Sequence, residues 1–303
     1  MSVLNGSWRH DFITTNGIKL HYVTQGEGKL MLMLHGFPEF WYSWRHQLPE
    51  FAKDYKVVAL DLRGYNESDK PQQLEAYNIK ELRQDVAGVI AGLGYEKCIL
   101  VGHDWGGAIA WNFAYHYPHK VEQLIVLNIP HPAKLMEGLR MPQQLLKSWY
   151  IFFFQLPFLP EWSIQSNDYQ LIAEALQGMA IDKSSFSKED IEAYKDAAAK
   201  RGALTAMVNY YRNIFQGLFL DSTKEMEALE IPTLMIWGEN DAALSKELTD
   251  ETEKYVKNLT IKYIPNCSHW VQQEQPQLVN EYMRDFLDNN SLLGDVYNDD
   301  SHL

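Results

Sequence analysis

The run Gly102-His103-Asp104-Trp105-Gly106 sets a carboxylate at the centre of a Gly-x-Asp-x-Gly turn, after an apolar strand and before a helix. Such a strand-to-helix turn is sharp, and it lifts its central side chain clear of the backbone as a nucleophile. Serine is the usual occupant. A serine that displaced a leaving group from a saturated carbon would become an ether, which water does not readily cleave. An aspartate in its place becomes an ester, which water can cleave. Asp104 therefore points to displacement at an sp3 carbon, followed by hydrolysis of the resulting ester.

Hydrolysis of that ester needs a base, and the base needs an orienting acid; in this arrangement both follow the nucleophile in the chain. His269, in Asn266-Cys267-Ser268-His269-Trp270 just past the last strand, is the candidate base. Asp241, closing Trp237-Gly238-Glu239-Asn240-Asp241, is the candidate acid, placed to hold the imidazole and stabilise its cation. Glu239 competes for that role, but the usual offset of the acid from the strand end favours Asp241. The turn His35-Gly36-Phe37-Pro38 stands where half of an oxyanion hole is built. The expected donors are the backbone N–H groups of Phe37 and Trp105.

Four blocks carry a resemblance to a known family. They are His35-Gly-Phe-Pro-Glu-Phe-Trp-Tyr-Ser-Trp-Arg-His46, Ala59-Leu-Asp-Leu-Arg-Gly-Tyr65, Gly102-His-Asp-Trp-Gly106 and Asn209-Tyr-Tyr-Arg212. Together they resemble the α/β-hydrolase epoxide hydrolases of soluble and bacterial type, over residues 11–287. The resemblance implies two cap tyrosines that hydrogen-bond the epoxide oxygen. Tyr211 matches one, directly before Arg212, and Tyr150 matches the other, five residues before Gln155. It also implies that Glu39 helps position the hydrolytic water and that His103 supports the elbow. The implied substrate is a small apolar epoxide, with water as co-substrate and no metal or organic cofactor. Haloalkane and haloacetate dehalogenases share the first and third blocks. Against them stand Phe37, where many dehalogenases have Asn, Trp149 in place of a histidine, and Trp105-Gly106-Gly107 in place of arginines after the nucleophile. A non-catalytic hydrolase-like ligand receptor would keep the same triad but has no need of the tyrosines.

Positioning these residues takes a sheet. Residues 18–23, 30–34, 56–60, 97–101, 121–127, 233–236 and 260–264 read as strands. Residues 79–93 carry apolar side chains at helical spacing up to Gly94, and 106–115 form the helix after the elbow. Alternating strands and helices predict an α/β fold with a mostly parallel, doubly wound sheet, here the α/β-hydrolase fold. The alternation stops at 133–229, which is helical in pattern and aromatic-rich. This segment is expected to be an inserted cap over the carboxyl ends of the strands, where open α/β folds bind ligands. The chain thus divides into core 1–132, cap 133–229, core 230–290 and a polar tail, 291–303, expected to be disordered. Trp41, Trp44, Trp105, Trp149, Phe152 and Phe154 supply aromatic surface for either the pocket or the core.

The whole chain narrows the partners. Its 303 residues carry a net charge of -13, which disfavours nucleic acid and anionic membrane surfaces. The two cysteines, Cys98 and Cys267, imply no disulfide framework and fit a reducing compartment. No apolar signal segment opens the sequence, and the apolar run 149–159 is too short to span a bilayer, so a cytoplasmic enzyme is expected. His116 and His119 flank Pro118 with no further ligand nearby and read as surface rather than metal site.

Overall fold

Apolar runs too continuous for a half-exposed sheet form the centre of the computed structural model, which describes residues 3–4, 6–214 and 227–298. Eight strands make one sheet: β1 (Arg9–Thr15), β2 (Ile18–Gln25), β3 (Lys29–Leu34), β4 (Tyr55–Leu60), β5 (Cys98–His103), β6 (Val121–Leu127), β7 (Thr233–Gly238) and β8 (Leu259–Ile264). Their order is β1-β2-β4-β3-β5-β6-β7-β8. β1 and β2 pair antiparallel, as do β2 and β4, and every later neighbour is parallel. β5 and β7 are buried along their whole length, as parallel strands covered on both faces must be. The sequence reading omitted β1. Its residues alternate between exposed and half-buried on the sheet edge, so they lack the apolar run that marks the inner strands.

Helices α1 (Gln47–Phe51), α2 (Ile79–Gly92) and α3 (Trp105–His116) cover the first strands. The Asn78 side chain caps α2 by accepting the Lys80 and Glu81 amides, which starts the helix one residue later. Between β6 and β7 come α4 (Pro132–Gly138), α5 (Pro142–Lys147), α6 (Trp149–Phe153), α7 (Leu159–Ala173), α8 (Lys188–Ala199) and α9 (Ala203–Arg212). α7 breaks helical geometry at Ser166, Asn167, Asp168 and Tyr169. α8 opens on a reciprocal capping box of Ser187 and Asp190. Residues 215–226 of the expected cap lie outside the described residues.

Polar bonds tie these helices to the core. Tyr42 donates to Asp190 (2.8 Å), Tyr210 to the Arg63 carbonyl (2.7 Å), and Gln144 to the Ala243 carbonyl (2.9 Å). The chain ends on α10 (Val271–Glu274) and α11 (Pro276–Asn298). Residues 291–298, expected as tail, lie within α11, and 299–303 lie outside the described residues. No described helix is long and apolar enough to cross a membrane.

Register places the working loops side by side. Leu34 pairs with Gly102, His103 with Leu127, and Leu127 with Ile236. The carboxyl ends of β3, β5, β6 and β7 therefore release Phe37, Asp104, Asn128 and Asp241 into one region.

Candidate active site

Asp104 is the single residue between β5 and α3, and its φ of 49° is rare for a side-chain-bearing residue. Close approach explains the glycines around it. A Cβ on Gly106 would lie 2.1 Å from the Leu34 carbonyl oxygen, and one on Gly102 would lie 2.5 Å from that of Gly106. A Cβ on Gly36 would lie 2.5 Å from the Asp104 Cβ. Only glycine lets the two turns touch. In that contact the Phe37 N–H donates to Asp104 Oδ1 at 2.9 Å. Trp105 opens α3, where backbone N–H groups point out of the helix end. Among the described bonds, Phe37 supplies the amide donor that reaches the Asp104 carboxylate.

The other Asp104 oxygen faces His269, with Nε2 3.6 Å from Oδ2. His269 Nδ1 sits 2.6 Å from Asp241 Oδ2, so the ring is held from behind. Asp241 spends its other oxygen on the amides of Ala243 (2.7 Å) and Leu244 (2.9 Å). Burial works against charging His269, but the Asp241 and Asp104 carboxylates outweigh it and raise its pKa well above the usual value. Burial likewise opposes the Asp241 anion, and the charge and hydrogen bond of His269, with help from Asn128 and Leu244, hold its pKa low. Glu239, the competing acid, instead pairs with Lys246.

Asn128 escaped the sequence reading. Fully buried just past β6, it donates from Nδ2 to Asp241 Oδ2 at 2.7 Å. A lone asparagine after an apolar strand offers little signal; its position next to Asp241 appears only once the strands are paired.

Glu39 is placed differently from expectation. It is fully buried beneath the oxyanion turn and does not line the cavity described below. Its Oε2 accepts the Gly36 amide (2.8 Å) and faces His103 Nδ1 (2.7 Å), while Oε1 accepts from Gln272 (3.1 Å) and Gln273 (2.9 Å). His103 Nε2 in turn donates to the His269 carbonyl at 2.9 Å. Burial alone would raise Glu39; His103 and the Gly36 amide outweigh it and pull the carboxyl down to about 2. Glu39 thus braces the turn and, through His103, the backbone of the base.

The cap closes the site. A cavity of about 390 Å³ is bounded by Asp104 and His269 on the core side and by Tyr150 and Tyr211 on the cap side. That size suits a small organic ligand. Tyr150 and Tyr211 meet edge to face, their ring centroids 5.8 Å apart. Burial first, then the Asp104 charge, raises both phenols well above their usual pKa, which keeps them protonated as donors. Trp149 and Phe154 line the cavity, and Trp105 packs edge-on against Tyr211 at 5.1 Å. Trp41 and Trp44 are buried core, and Phe152 is half exposed and does not line this cavity. Among the described residues no group of acids, histidines and cysteines is arranged to hold a metal ion. His116 instead hydrogen-bonds the Asn112 carbonyl of its own helix at 2.9 Å.

Residues 29–276 match the family described as the alpha/beta hydrolase fold. The chain is 46% identical to Epoxide hydrolase 3 of Xenopus tropicalis over 280 residues, covering 90% of this chain and 75% of that protein. It is also 46% identical to Epoxide hydrolase 4 of Homo sapiens over 283 residues, covering 91% and 77%. Among solved structures, the Bacillus megaterium epoxide hydrolase in complex with an inhibitor superposes with a TM-score of 0.87. It shares 41% identity and covers 92% of this chain and 100% of that one. An aspartate elbow, its histidine and this likeness over most of the chain lead to one assignment. The chain belongs to the epoxide hydrolases of the α/β hydrolase fold, and it hydrolyses epoxides.

Proposed function

We propose that the epoxide is opened by Asp104 and the resulting ester is hydrolysed by water that His269 activates. In the first stage Asp104 Oδ2 attacks an epoxide carbon from behind, forming the ester C–O bond as the ring C–O bond breaks. Tyr150 and Tyr211 hydrogen-bond the ring oxygen, and one of them gives it a proton. In the second stage His269, oriented by Asp241, takes a proton from water. The hydroxide adds to the Asp104 carbonyl, and the amides of Phe37 and Trp105 receive the oxyanion. The intermediate collapses to the diol and the Asp104 carboxylate, and the proton held by His269 replaces the one the tyrosine gave. Each step uses only protein groups and water, without metal or organic cofactor.

The observation that carries this reading is the placement of Tyr150 and Tyr211 in the same cavity as Asp104 and His269. A leaving oxygen that stays tethered to its carbon needs an acid held close by, and halide departure does not. The apolar walls support a small apolar epoxide as substrate. The free, buried thiols of Cys98 and Cys267 support a cytoplasmic setting.

The test is to mix His269→Gln with an aryl epoxide and weigh the protein. The expected outcome is a stoichiometric adduct on the peptide that contains Asp104. Adding Tyr211→Phe or Tyr150→Phe should slow adduct formation on the order of 10²-fold, the scale of a lost general acid. No adduct, or an adduct whose rate ignores both tyrosines, overturns the reading.

A further inference from the structure

Asn128 lies where the end of β6 meets the end of β7. Its backbone N–H donates to the Ile236 carbonyl at 3.0 Å, its Oδ1 accepts the Gly238 N–H at 3.0 Å, and its Nδ2 donates to Asp241 Oδ2 at 2.7 Å. The Gly238 bond fixes which way the side-chain amide faces, because only the oxygen can accept an N–H. The Nδ2 group must then point at the acid. Its φ of 43° is one that asparagine tolerates better than most residues. The same Asp241 oxygen that faces His269 therefore receives a second, neutral donor.

We propose that Asn128 is a positioning residue for ester hydrolysis: it locks Asp241 Oδ2 against His269 and shares the carboxylate's charge with it. This rests on the two-stage reading above. Without Asn128 the Ala243 and Leu244 amides would still hold Asp241 Oδ1, but His269 would be the sole partner of Oδ2 and nothing else would fix that oxygen's direction. With Asn128 present the lone pairs of Oδ2 are divided between two donors in fixed directions. The other titratable groups near this oxygen act from further off. Tyr150 and Cys267 sense the Asp241 charge without bonding it, and the Lys147 ammonium bonds the Asp241 backbone carbonyl (3.1 Å), not its carboxylate. Ester formation has no use for this arrangement, because Asp104 attacks before His269 acts as a base. The effect must therefore fall on the second stage.

Two variants separate this role from simple packing. Asn128→Leu removes both side-chain bonds. Asn128→Asp keeps them at neutral pH, because two carboxyl groups sharing a site cannot both ionise and the pair retains one proton. The protonated carboxyl then accepts from Gly238 and donates to Asp241, as the amide does. The experiment is single-turnover kinetics with styrene oxide, following ester formation and ester hydrolysis separately across pH.

For Asn128→Leu the expected result is hydrolysis at least tenfold slower, ester formation within twofold of the parent, and an acid limb of hydrolysis moved to higher pH. Asn128→Asp should hydrolyse within a fewfold of the parent near neutrality, then lose activity at alkaline pH as its shared proton leaves. Equal losses in both stages for Asn128→Leu would mean a merely structural residue. Asn128→Asp as slow as Asn128→Leu at neutral pH, or without the new alkaline limb, would also overturn the proposal. Unchanged ester formation in the variants reports that they fold. Failure of the parent enzyme itself to form an ester would instead sink the two-stage reading.

Discussion

At the scale of single residues, the site works by dividing charge among a few fixed donors. Asp104 has one oxygen on the Phe37 amide and the other 3.6 Å from His269, so the imidazole senses two carboxylates at once. Both raise its pKa against the opposing effect of burial. The sign matters for catalysis, because only neutral imidazole can take a proton from water. In the proposed reaction ester formation removes the Asp104 charge, so the His269 pKa would fall at the moment a base is needed. Asp104→Asn imitates that loss. An NMR titration of His269 should show a lower pKa in Asp104→Asn than in the parent, and an unchanged midpoint would deny the coupling. The grouping of Asp104, His269 and Asp241 was legible in the sequence because each sits at a fixed place after a strand. Asn128 was not, since its partner Asp241 lies 113 residues away and only sheet pairing joins them. Glu39 was legible as important, but nothing in its sequence context told that it faces inward.

Among elements, the oxyanion turn and the loop bearing His269 are braced by one buried pair. Glu39 holds Gly36 directly and reaches the His269 carbonyl through His103. A carboxyl that falls to about 2 on folding stabilises the protein above the usual glutamate range, and that stability is lost as pH falls toward 2. The linkage is worth about 3 kcal/mol. Glu39→Gln should therefore be less stable at neutral pH by roughly that amount. Its unfolding free energy, measured in urea, should also change less than the parent's between pH 5 and pH 3. Parallel pH profiles would show that Glu39 is not held ionised by this pair. Inner strands were easy to read because burial on both faces demands unbroken apolar runs. β1 was missed although Asn16-Gly17, with φ values of 48° and 75°, is the two-residue turn that closes a hairpin onto β2. The helix over 291–298 was hidden by Gly294 within it and by the polar residues that flank it, Asp288-Asn289-Asn290 before and Asp299-Asp300-Ser301 after.

Across the whole molecule, sheet and cap divide the work. The core supplies Asp104, Asp241 and His269, the groups proposed to make and break the ester, all from carboxyl ends of its parallel strands. The cap supplies the phenols and most of the apolar wall around the 390 Å³ cavity. The meeting of Asp104, Asp241 and His269 was legible because they belong to the core, whose pattern is regular. The shape of the cavity was not, because it depends on short cap helices whose packing no periodicity encodes. The division makes a direct claim about where oxygen travels. In the core chemistry the oxygen added to the epoxide comes from Asp104, and water's oxygen replaces it there. One turnover in water enriched in heavy oxygen, with enzyme in excess over epoxide, reads this by mass spectrometry. The account predicts label in the Asp104 peptide and an unlabelled first diol; label in that first diol, with none in the peptide, would contradict it.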